Sequence, residues 1–343
     1  MSRNRLQIPP GASITVRLIN PVNFGPSRLE RFMAPKVPGL EGHAQTPALS
    51  FLLEHSSGRK LVFDLGIRKD YQNYAPKIAE YIPTTGYKIE VEKNVVDTLK
   101  EHGVAVEDIE GVVWSTDLIV GPGFKDAMLP GYPANPDSPI LESDYTGRTL
   151  REITFDAQML RIGQFGAIDY FDDGSFYLLD SPGHAIGHLC GLARTTVNPD
   201  TFILLGGDIA HYAGIFRPSV HLPLPSTIPL CPGPLHTVEA GFCPGAAWEE
   251  LQSSRGRKTT DSLFDPTFGY DVPLAMETIR KLQEVDCDED VFVIIAHDGA
   301  VRDGVPHFPA ALNQWKENGW ARSLRWAFLK DLEGYWRQKG LIE

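Results

Sequence analysis

Short apolar runs separated by glycine- and proline-rich turns dominate the hydrophobic pattern of this chain. Apolar runs that are bounded in this way by turn residues are typical of β-strands. The pattern predicts strands at 14–19, 48–54, 60–64, 111–114, 117–121, 151–155, 167–170, 176–179, 189–195, 201–205 and 290–296. Two amphipathic stretches, 91–102 and 272–284, predict helices because their apolar residues recur on one helical face. Residues 310–338 also have helical spacing, so the chain is expected to have a mixed α/β fold.

Two of these apolar runs, 111–114 and 117–121, follow each other too closely for ordinary sheet neighbours. Parallel neighbours need a connection of a dozen or more residues, and even a hairpin needs a turn. Either the two runs form one continuous strand, or a connecting segment is missing near Ser115 and Thr116.

Imidazole and carboxylate side chains follow three of the predicted strands, those at 176–179, 201–205 and 290–296. These side chains are Asp180, His184, His188, Asp208, His211 and His297. Such groups at strand ends are what a metal-dependent hydrolase needs, because they can bind a metal ion next to an open coordination position. A further carboxylate, Asp64, leaves the strand at 60–64, where it either orients a neighbouring loop or belongs to a plain turn.

Composition narrows the range of partners. The formal net charge of −12 and the pI near 5.3 argue against nucleic acid and anionic membranes, which both need a basic surface. The N-terminus has no signal-peptide pattern, and no apolar run approaches the length of a membrane span. The four cysteines have no CxxC spacing and predict reduced thiols in a cytoplasmic protein. A small-molecule substrate is therefore expected, and the oligomeric state is not predicted.

The segments SPGHAIGH (181–188), GGD (206–208) and AH (296–297) are similar to the metal-binding motifs of the metallo-β-lactamase superfamily, in particular its fungal, lactonase-like members. The resemblance implies one domain over 1–343. It would be a four-layer αββα sandwich with a core at about 12–300 and a C-terminal helical extension at 301–343. It also implies one or two zinc ions at the sheet edge and a zinc-bound hydroxide that attacks the carbonyl of a lactone, a lactam or a related ester.

The resemblance also implies roles for the residues that supply the metal ligands. His184 matches an imidazole on the first metal, Asp208 matches the carboxylate that bridges two metals, and His297 matches an imidazole on the second metal. Asp64 resembles the acidic residue that steadies the metal loop and is a catalytic candidate. His188 matches a position that does not bind the metal itself but supports the residues that do.

Two residues close to Asp208 are candidates for contact with the substrate. His211 and Tyr212 follow it within one short turn and are expected to face the substrate, and Tyr212 is also a catalytic candidate. The remaining histidines are expected to lie on the surface or in loops; they are His43, His55, His102, His221, His236 and His307.

One hallmark of the superfamily, the HxHxDH motif, is absent after the strand at 111–114. Instead VVWS runs directly into TDLIVG, so the resemblance and the connection length both indicate a deletion near Ser115 and Thr116, in the N-terminal half of the sandwich. Two protein ligands then remain for each metal, which predicts poor zinc binding and weak or absent activity.

Two explanations of this gap stay open. The gap is an artefact of the gene model or of splicing, or it is a genuine loss that leaves a pseudo-enzyme. In the second case the scaffold would be a non-catalytic ligand-binding or interaction protein. A nuclease, which other members of the superfamily exemplify, is disfavoured by the negative charge.

Overall fold

The computed structural model of the chain describes residues 5–113, 118–156, 159–229 and 241–342. Its strands, in chain order, are β1 (Thr15–Gly25), β2 (Ser27–Arg28), β3 (Met33–Ala34), β4 (Gly42–His43), β5 (Thr46–Glu54), β6 (Lys60–Phe63), β7 (Lys88–Glu90), β8 (Ile109–Val113), β9 (Leu118–Val120), β10 (Arg151–Glu152), β11 (Arg161–Ile162), β12 (Phe165–Asp169), β13 (Phe176–Asp180), β14 (Leu189–Thr196), β15 (Thr201–Leu205), β16 (Ile228–Pro229), β17 (Gly241–Phe242), β18 (Asp265–Pro266) and β19 (Val291–Ile294). Its helices are α1 (Pro76–Thr84), α2 (Val95–Glu101), α3 (Phe124–Met128), α4 (Gly245–Ser254), α5 (Val272–Asp286), α6 (Gly299–Gly304), α7 (Trp320–Leu324) and α8 (Glu333–Gln338).

Most of the strands belong to two sheets. The first sheet has seven strands in the order β10-β9-β8-β6-β5-β1-β7, and the second has six in the order β11-β12-β13-β14-β15-β19. The hairpin predicted at 48–54 and 60–64 is confirmed, since β5 and β6 pair antiparallel with Phe51 opposite Phe63. The mixed α/β class predicted from the hydrophobic pattern is therefore confirmed as well.

The two sheets face each other, and helices cover their outer faces. Successive side chains of a strand point to opposite faces, so Leu178 and Leu179 of β13 enter different cores. Leu178 lies in the apolar cluster between the sheets, whereas Leu179 packs in the outer cluster that contains Leu282 of α5. On the far side of the first sheet, Leu52 packs in a cluster with Leu99 of α2. The layers are thus helix, sheet, sheet and helix.

The predicted helix at 310–338 is only partly right. The helical segments there are α7, a 3-10 turn at Ala327–Leu332 and α8, and Gly319, with a φ of 68°, precedes α7. A left-handed residue cannot continue a right-handed helix, which explains the interruption. Trp315 and Trp336 of this region are each 1% exposed and belong to the two large apolar clusters.

Strand β1 is longer than the sequence predicts, because it continues through Pro21 to Gly25. A proline signals the end of a strand since it cannot donate a ladder hydrogen bond. Here the pairing with β5 shifts register between Ile19 and Val22, which accommodates the proline. In the described part of the chain no helix combines the length and the apolar composition needed to cross a membrane.

The topology brings three strand ends to one edge of the second sheet. Strands β15 and β19 are parallel neighbours, and β13 runs in the same direction because β14 is antiparallel to both β13 and β15. The segments that follow these strands therefore leave from the same edge. This is the physical reason why residues far apart in sequence, such as His184 and His297, can share one site.

Strands β8 and β9 correspond to the two runs that follow each other too closely. They are separate strands that pair in parallel, with Val112 opposite Leu118 and Val113 opposite Ile119. The alternative of one continuous strand is therefore wrong. Only four positions separate Val113 from Leu118, although parallel neighbours normally need a dozen or more. The predicted deletion itself, near Ser115 and Thr116, lies outside the described residues.

Candidate metal centre

Three imidazoles surround one carboxylate at the edge where β13, β15 and β19 end. Asp208 lies in the 3-10 turn Gly207–Ile209 directly after β15. Its Oδ1 is 2.9 Å from Nε2 of His297, and its Oδ2 is 3.5 Å from Nε2 of His184. His211 joins them, since one ligand atom from each of Asp208, His211 and His297 lies within 4.8 Å of the others. The structure thus brings together the three ligands expected from the sequence and adds a fourth candidate.

The hydrogen bonds in this cluster leave several donor atoms available for a cation. Nδ1 of His297 donates to the carbonyl oxygen of Pro47 at 2.7 Å, so the lone pair of the neutral ring lies on Nε2, toward Asp208. Nδ1 of His184 is buried without a hydrogen-bond partner among the described residues. Oδ1 of Asp208 is buried opposite Nε2 of His297, which offers it no proton when that ring is neutral. Buried polar atoms are normally satisfied. A bound cation would satisfy them, and two imidazoles with a carboxylate form a ligand set that catalytic zinc sites use.

The protonation states in the cluster also fit a metal site. Burial favours the neutral carboxyl of Asp208, but the charges of His297 and His184 hold its pKa well below the usual value. Burial lowers the pKa of His184 and lowers that of His211 well below its usual value. For His297 the effect of burial is outweighed by Asp208, which raises the pKa. Asp208 is thus anionic and the rings of His184 and His211 are neutral, which are the forms that bind metals, whereas the raised pKa of His297 favours a proton that a bound cation would displace.

His188 lies behind the cluster and holds the turn that carries Asp208. Its side chain is 7% exposed, and its Nδ1 donates to the carbonyl oxygen of Ser181 at 3.0 Å. Its Nε2 accepts a hydrogen bond from the backbone N–H of Asp208 at 3.2 Å. Burial lowers the pKa of His188 to about 4, so the ring is neutral and Nε2 can accept. Both ring nitrogens are therefore used within the protein.

Asp64 brings a second carboxylate to the same cluster from the first sheet. It follows β6 with a φ of 64°, a left-handed conformation that is uncommon for a residue other than glycine, and its Oδ1 accepts a hydrogen bond from the N–H of Gly66. Burial and, secondly, the charge of Asp208 raise its pKa to about 6. Asp180 differs, since it is paired with Leu189 at the end of β13 and the charge acting on it is that of Lys281.

Two phenylalanines cover the solvent side of the cluster. The ring of Phe32 stacks on His211 with centroids 5.2 Å apart, and Phe268 lies 5.5 Å from His211 and 5.9 Å from His184. Phe268 is 37% exposed, which is high for a large apolar ring. These rings provide an apolar surface beside the polar cluster, and a small substrate with an apolar or aromatic part would contact them.

Tyr212 points its hydroxyl toward the C-terminal segment. The hydroxyl is within hydrogen-bond distance of Oδ2 of Asp331 at 2.9 Å and of the carbonyl oxygen of Phe328 at 3.0 Å. His43, which the sequence assigns to a surface or loop position, lies against its ring at 5.1 Å, and its Nε2 is buried. The catalytic and substrate-binding roles expected for Tyr212 stay predictions. For either role the hydroxyl would have to give up its hydrogen bonds to Asp331 and Phe328.

Comparisons with known proteins show the family of this chain. The chain is 40% identical to the metallo-hydrolase mfmC of Annulohypoxylon moriforme, over 95% of this chain and 89% of the relative. The chain belongs to the metallo-β-lactamase superfamily. It is also 38% identical to the gamma-lactamase FDB1 of Fusarium pseudograminearum, over 88% of this chain and 78% of the relative.

A solved structure supports the superfamily fold. The crystal structure of a quorum-quenching N-acyl homoserine lactone hydrolase superposes with a TM-score of 0.55 at 15% identity, over 88% of this chain and 99% of that protein. At this identity the likeness shows the fold alone. A scan against models of protein families finds no match.

The superfamily relatives contain residues for which this chain has no counterpart. The comparison with mfmC runs over 351 positions, to which this chain contributes 95% of its 343 residues, or about 326, so about 25 positions are left without a residue of this chain. The comparison with FDB1 runs over 326 positions and uses 88% of the chain, or about 302 residues, which leaves about 24.

The sequence interpretation gave His211 a substrate-binding role rather than the role of a metal ligand. Its position three residues after Asp208, behind the same strand, was the signal that the sequence offered. The covering rings of Phe32 and Phe268 had no such signal for a specific contact, because the segments that carry them are distant in sequence from the motifs.

Proposed function

We propose that this chain is a metal-dependent hydrolase that opens a small cyclic ester or amide, a lactone or a lactam. The observation that carries the proposal is the cluster of Asp208, His211 and His297, whose ligand atoms lie within 4.8 Å of one another. Superfamily membership adds to it, and one relative is named a metallo-hydrolase and another a gamma-lactamase.

The metal is proposed to be zinc, bound by Asp208, His211 and His297, with His184 as a further ligand candidate. Three protein ligands are the usual complement of a catalytic zinc site, which keeps one position open. When bound there, zinc supplies a Lewis acid and a water that ionises near neutral pH. The raised pKa of Asp64 supports a cation in this position, because two buried carboxylates close together are costly without one.

The protein's own residues supply the positioning. His188 fixes the backbone at Asp208 and thereby the direction of its carboxylate. The hydrogen bond from His297 to Pro47 fixes the imidazole so that its Nε2 is directed toward Asp208. Phe32 and Phe268 would hold an apolar part of the substrate beside the cluster and exclude water from it. Asp64 would add a second carboxylate beside the cluster from the first sheet, with its Oδ1 held by the N–H of Gly66.

The chain as given is proposed to hold at most one tightly bound zinc ion and to be weakly active. The parallel pairing of β8 with β9 across only four positions supports a missing segment between these strands. The participation of His211 gives the remaining site three donors rather than two, which makes one-metal binding feasible.

Hydrolysis of dihydrocoumarin and of its lactam analogue, 3,4-dihydroquinolin-2-one, tests the enzyme proposal. We expect slow ring opening that 1,10-phenanthroline abolishes and added zinc restores, and that Asp208→Asn loses. His221→Ala is the matched control, because His221 is an exposed histidine outside the cluster. Activity that resists the chelator would contradict a metal-dependent reaction.

A pseudo-enzyme that binds ligands on the same scaffold is the second candidate, and the four-position connection between β8 and β9 is the observation that favours it. Reading the transcript across the codons of Ser115 and Thr116 separates the two candidates. Coding sequence for a histidine-rich segment at this junction would support the hydrolase, and restoring it should raise the rate of ring opening. A restored chain without chelator-sensitive activity would leave the binding protein as the better account.

A further inference from the structure

A cavity of about 460 Å³ lies beside the candidate metal centre and has a basic lining. The lining residues are Arg28, Glu30, Arg31, Lys36, Thr85 and Tyr87. Three cations thus face one carboxylate, in a chain whose formal net charge is −12. A locally positive cavity in an acidic protein attracts anionic ligands.

Arg28 and Arg31 form no ion pair among the described residues, and the charge of Arg28 acts on Glu30. Lys36 forms an ion pair with Glu30. Within the described ranges no carboxylate pairs with Arg28, and Arg31 uses one Nη2 donor on the hydroxyl of Tyr81 at 2.7 Å. The guanidinium of Arg31 lies 5.3 Å from the ring centroid of Tyr81 and 5.9 Å from that of Tyr87, so the two rings hold it in position. Guanidinium groups have the fork geometry that matches a carboxylate.

The hydroxyl of Tyr87 in this lining is buried and has no hydrogen-bond partner among the described residues. An unsatisfied buried donor is costly and indicates a missing acceptor. Burial raises the pKa of Tyr87, so the hydroxyl keeps its proton and is able to donate. A carboxylate in the cavity could accept from this hydroxyl and from the guanidinium groups together.

The ring of Phe24 lies between the cavity and the metal centre. The centroid of Phe24 is 5.3 Å from that of Tyr87 and 5.5 Å from that of His297. These two separations put the rings of Tyr87 and His297 within about 11 Å of each other. The cavity is therefore a close neighbour of the cluster, with the buried ring of Phe24 packed between the two.

We propose that this cavity is an anion subsite next to the hydrolytic centre and that it binds a small organic carboxylate. The carboxylate would bind Arg28, Arg31 and the Tyr87 hydroxyl. The description of the neighbouring centre as hydrolytic rests on the proposed function, whereas binding of the carboxylate does not.

Calorimetric titration with 4-phenylbutyrate and its neutral analogue 4-phenylbutanamide tests the subsite. The titrations use the full chain in a buffer with chelator, so that the carboxylate cannot bind a metal. We expect the carboxylate to bind roughly tenfold or more tightly than the amide, the effect of a hydrogen bond to a charged group. Arg28→Met and Arg31→Met should each weaken the carboxylate roughly tenfold, and Tyr87→Phe should weaken it severalfold.

Lys88→Met is the matched control, because Lys88 is a cation with a 79% exposed side chain, paired with Glu90 outside the cavity lining. It should change the affinity for 4-phenylbutyrate less than about twofold. Arg31→Lys keeps the positive charge but loses the two parallel N–H donors of the guanidinium, so it should recover part of the affinity that Arg31→Met loses. It also serves as a control in case Arg31→Met does not fold.

Equal affinity for the carboxylate and the amide would overturn the subsite, and so would equal effects of Arg31→Met and Lys88→Met. A separate measurement, the ring-opening assay, tests the proposed hydrolase function. If no variant or added zinc gives ring opening while 4-phenylbutyrate still follows the expected pattern, the anion subsite stands and the hydrolase does not.

Discussion

Replacing His188 by alanine tests whether the residue behind the cluster controls the metal site. The substitution removes the acceptor of the Asp208 N–H and the donor to the carbonyl oxygen of Ser181, both at buried positions. An orphaned buried group costs about 1–3 kcal/mol, so two of them and the lost packing should lower the free energy of unfolding by about 3–5 kcal/mol. Zinc affinity should fall about 10- to 100-fold, the usual effect of removing a group that orients a ligand.

Two amide variants separate positioning from stability. His188→Gln extends an amide oxygen toward the Asp208 N–H, whereas His188→Asn reaches only as far as the nitrogen that donates to Ser181. Urea unfolding and competition for zinc with a chromophoric chelator should show that the glutamine variant recovers more zinc affinity than the asparagine variant. His221→Ala, at an exposed histidine, should change neither quantity. Equal zinc affinities in all four proteins and the wild type would refute the positioning role.

Three further predictions concern stability. Trp336→Ala should cost about 3–5 kcal/mol in urea unfolding, because the indole is 1% exposed, and a single transition would support one domain over 1–343. Asp286→Asn should cost about 3–5 kcal/mol, because it leaves the buried charge of Arg217 unpaired, and a loss below about 1 kcal/mol would contradict this. Because the folded-state pKa of Asp64 is raised from 3.8 to about 6, the folded state binds its proton more tightly, so the stability that this group contributes is lost as pH rises between these values. In metal-free protein, Asp64→Asn should therefore gain up to about 3 kcal/mol over the wild type between pH 4 and 6, and parallel pH profiles would contradict it.

The sequence alone predicts the strands that carry the site. The apolar runs at 176–179, 201–205 and 290–296 correspond to β13, β15 and β19, because buried strands in this fold are short and nearly continuous in apolar residues. Asp208 and His297 then lie at strand ends by topology alone. The contact between them needed only the parallel pairing of β15 with β19.

Other features were beyond the reach of local patterns. The turn Gly207–Ile209 decides that His211 enters the cluster, and the direction of the Tyr212 hydroxyl depends on Asp331, more than a hundred residues away. Helix α1 was missed because its sequence contains Pro83, a residue that normally ends a helix. The first two features depend on tertiary contacts, whereas α1 has no buried residue and contains Pro83 next to its last residue.

The number of zinc ions that the chain binds is the most direct test of the metal centre. Titration of the metal-free chain with zinc against a chromophoric competitor, checked by elemental analysis, should give one ion per chain, and His211→Ala and His297→Ala should each weaken it about 100-fold or more. His221→Ala should bind as the wild type does. Zinc uptake that is indifferent to His211 and His297, or no uptake at all, would contradict a metal centre built on Asp208, His211 and His297.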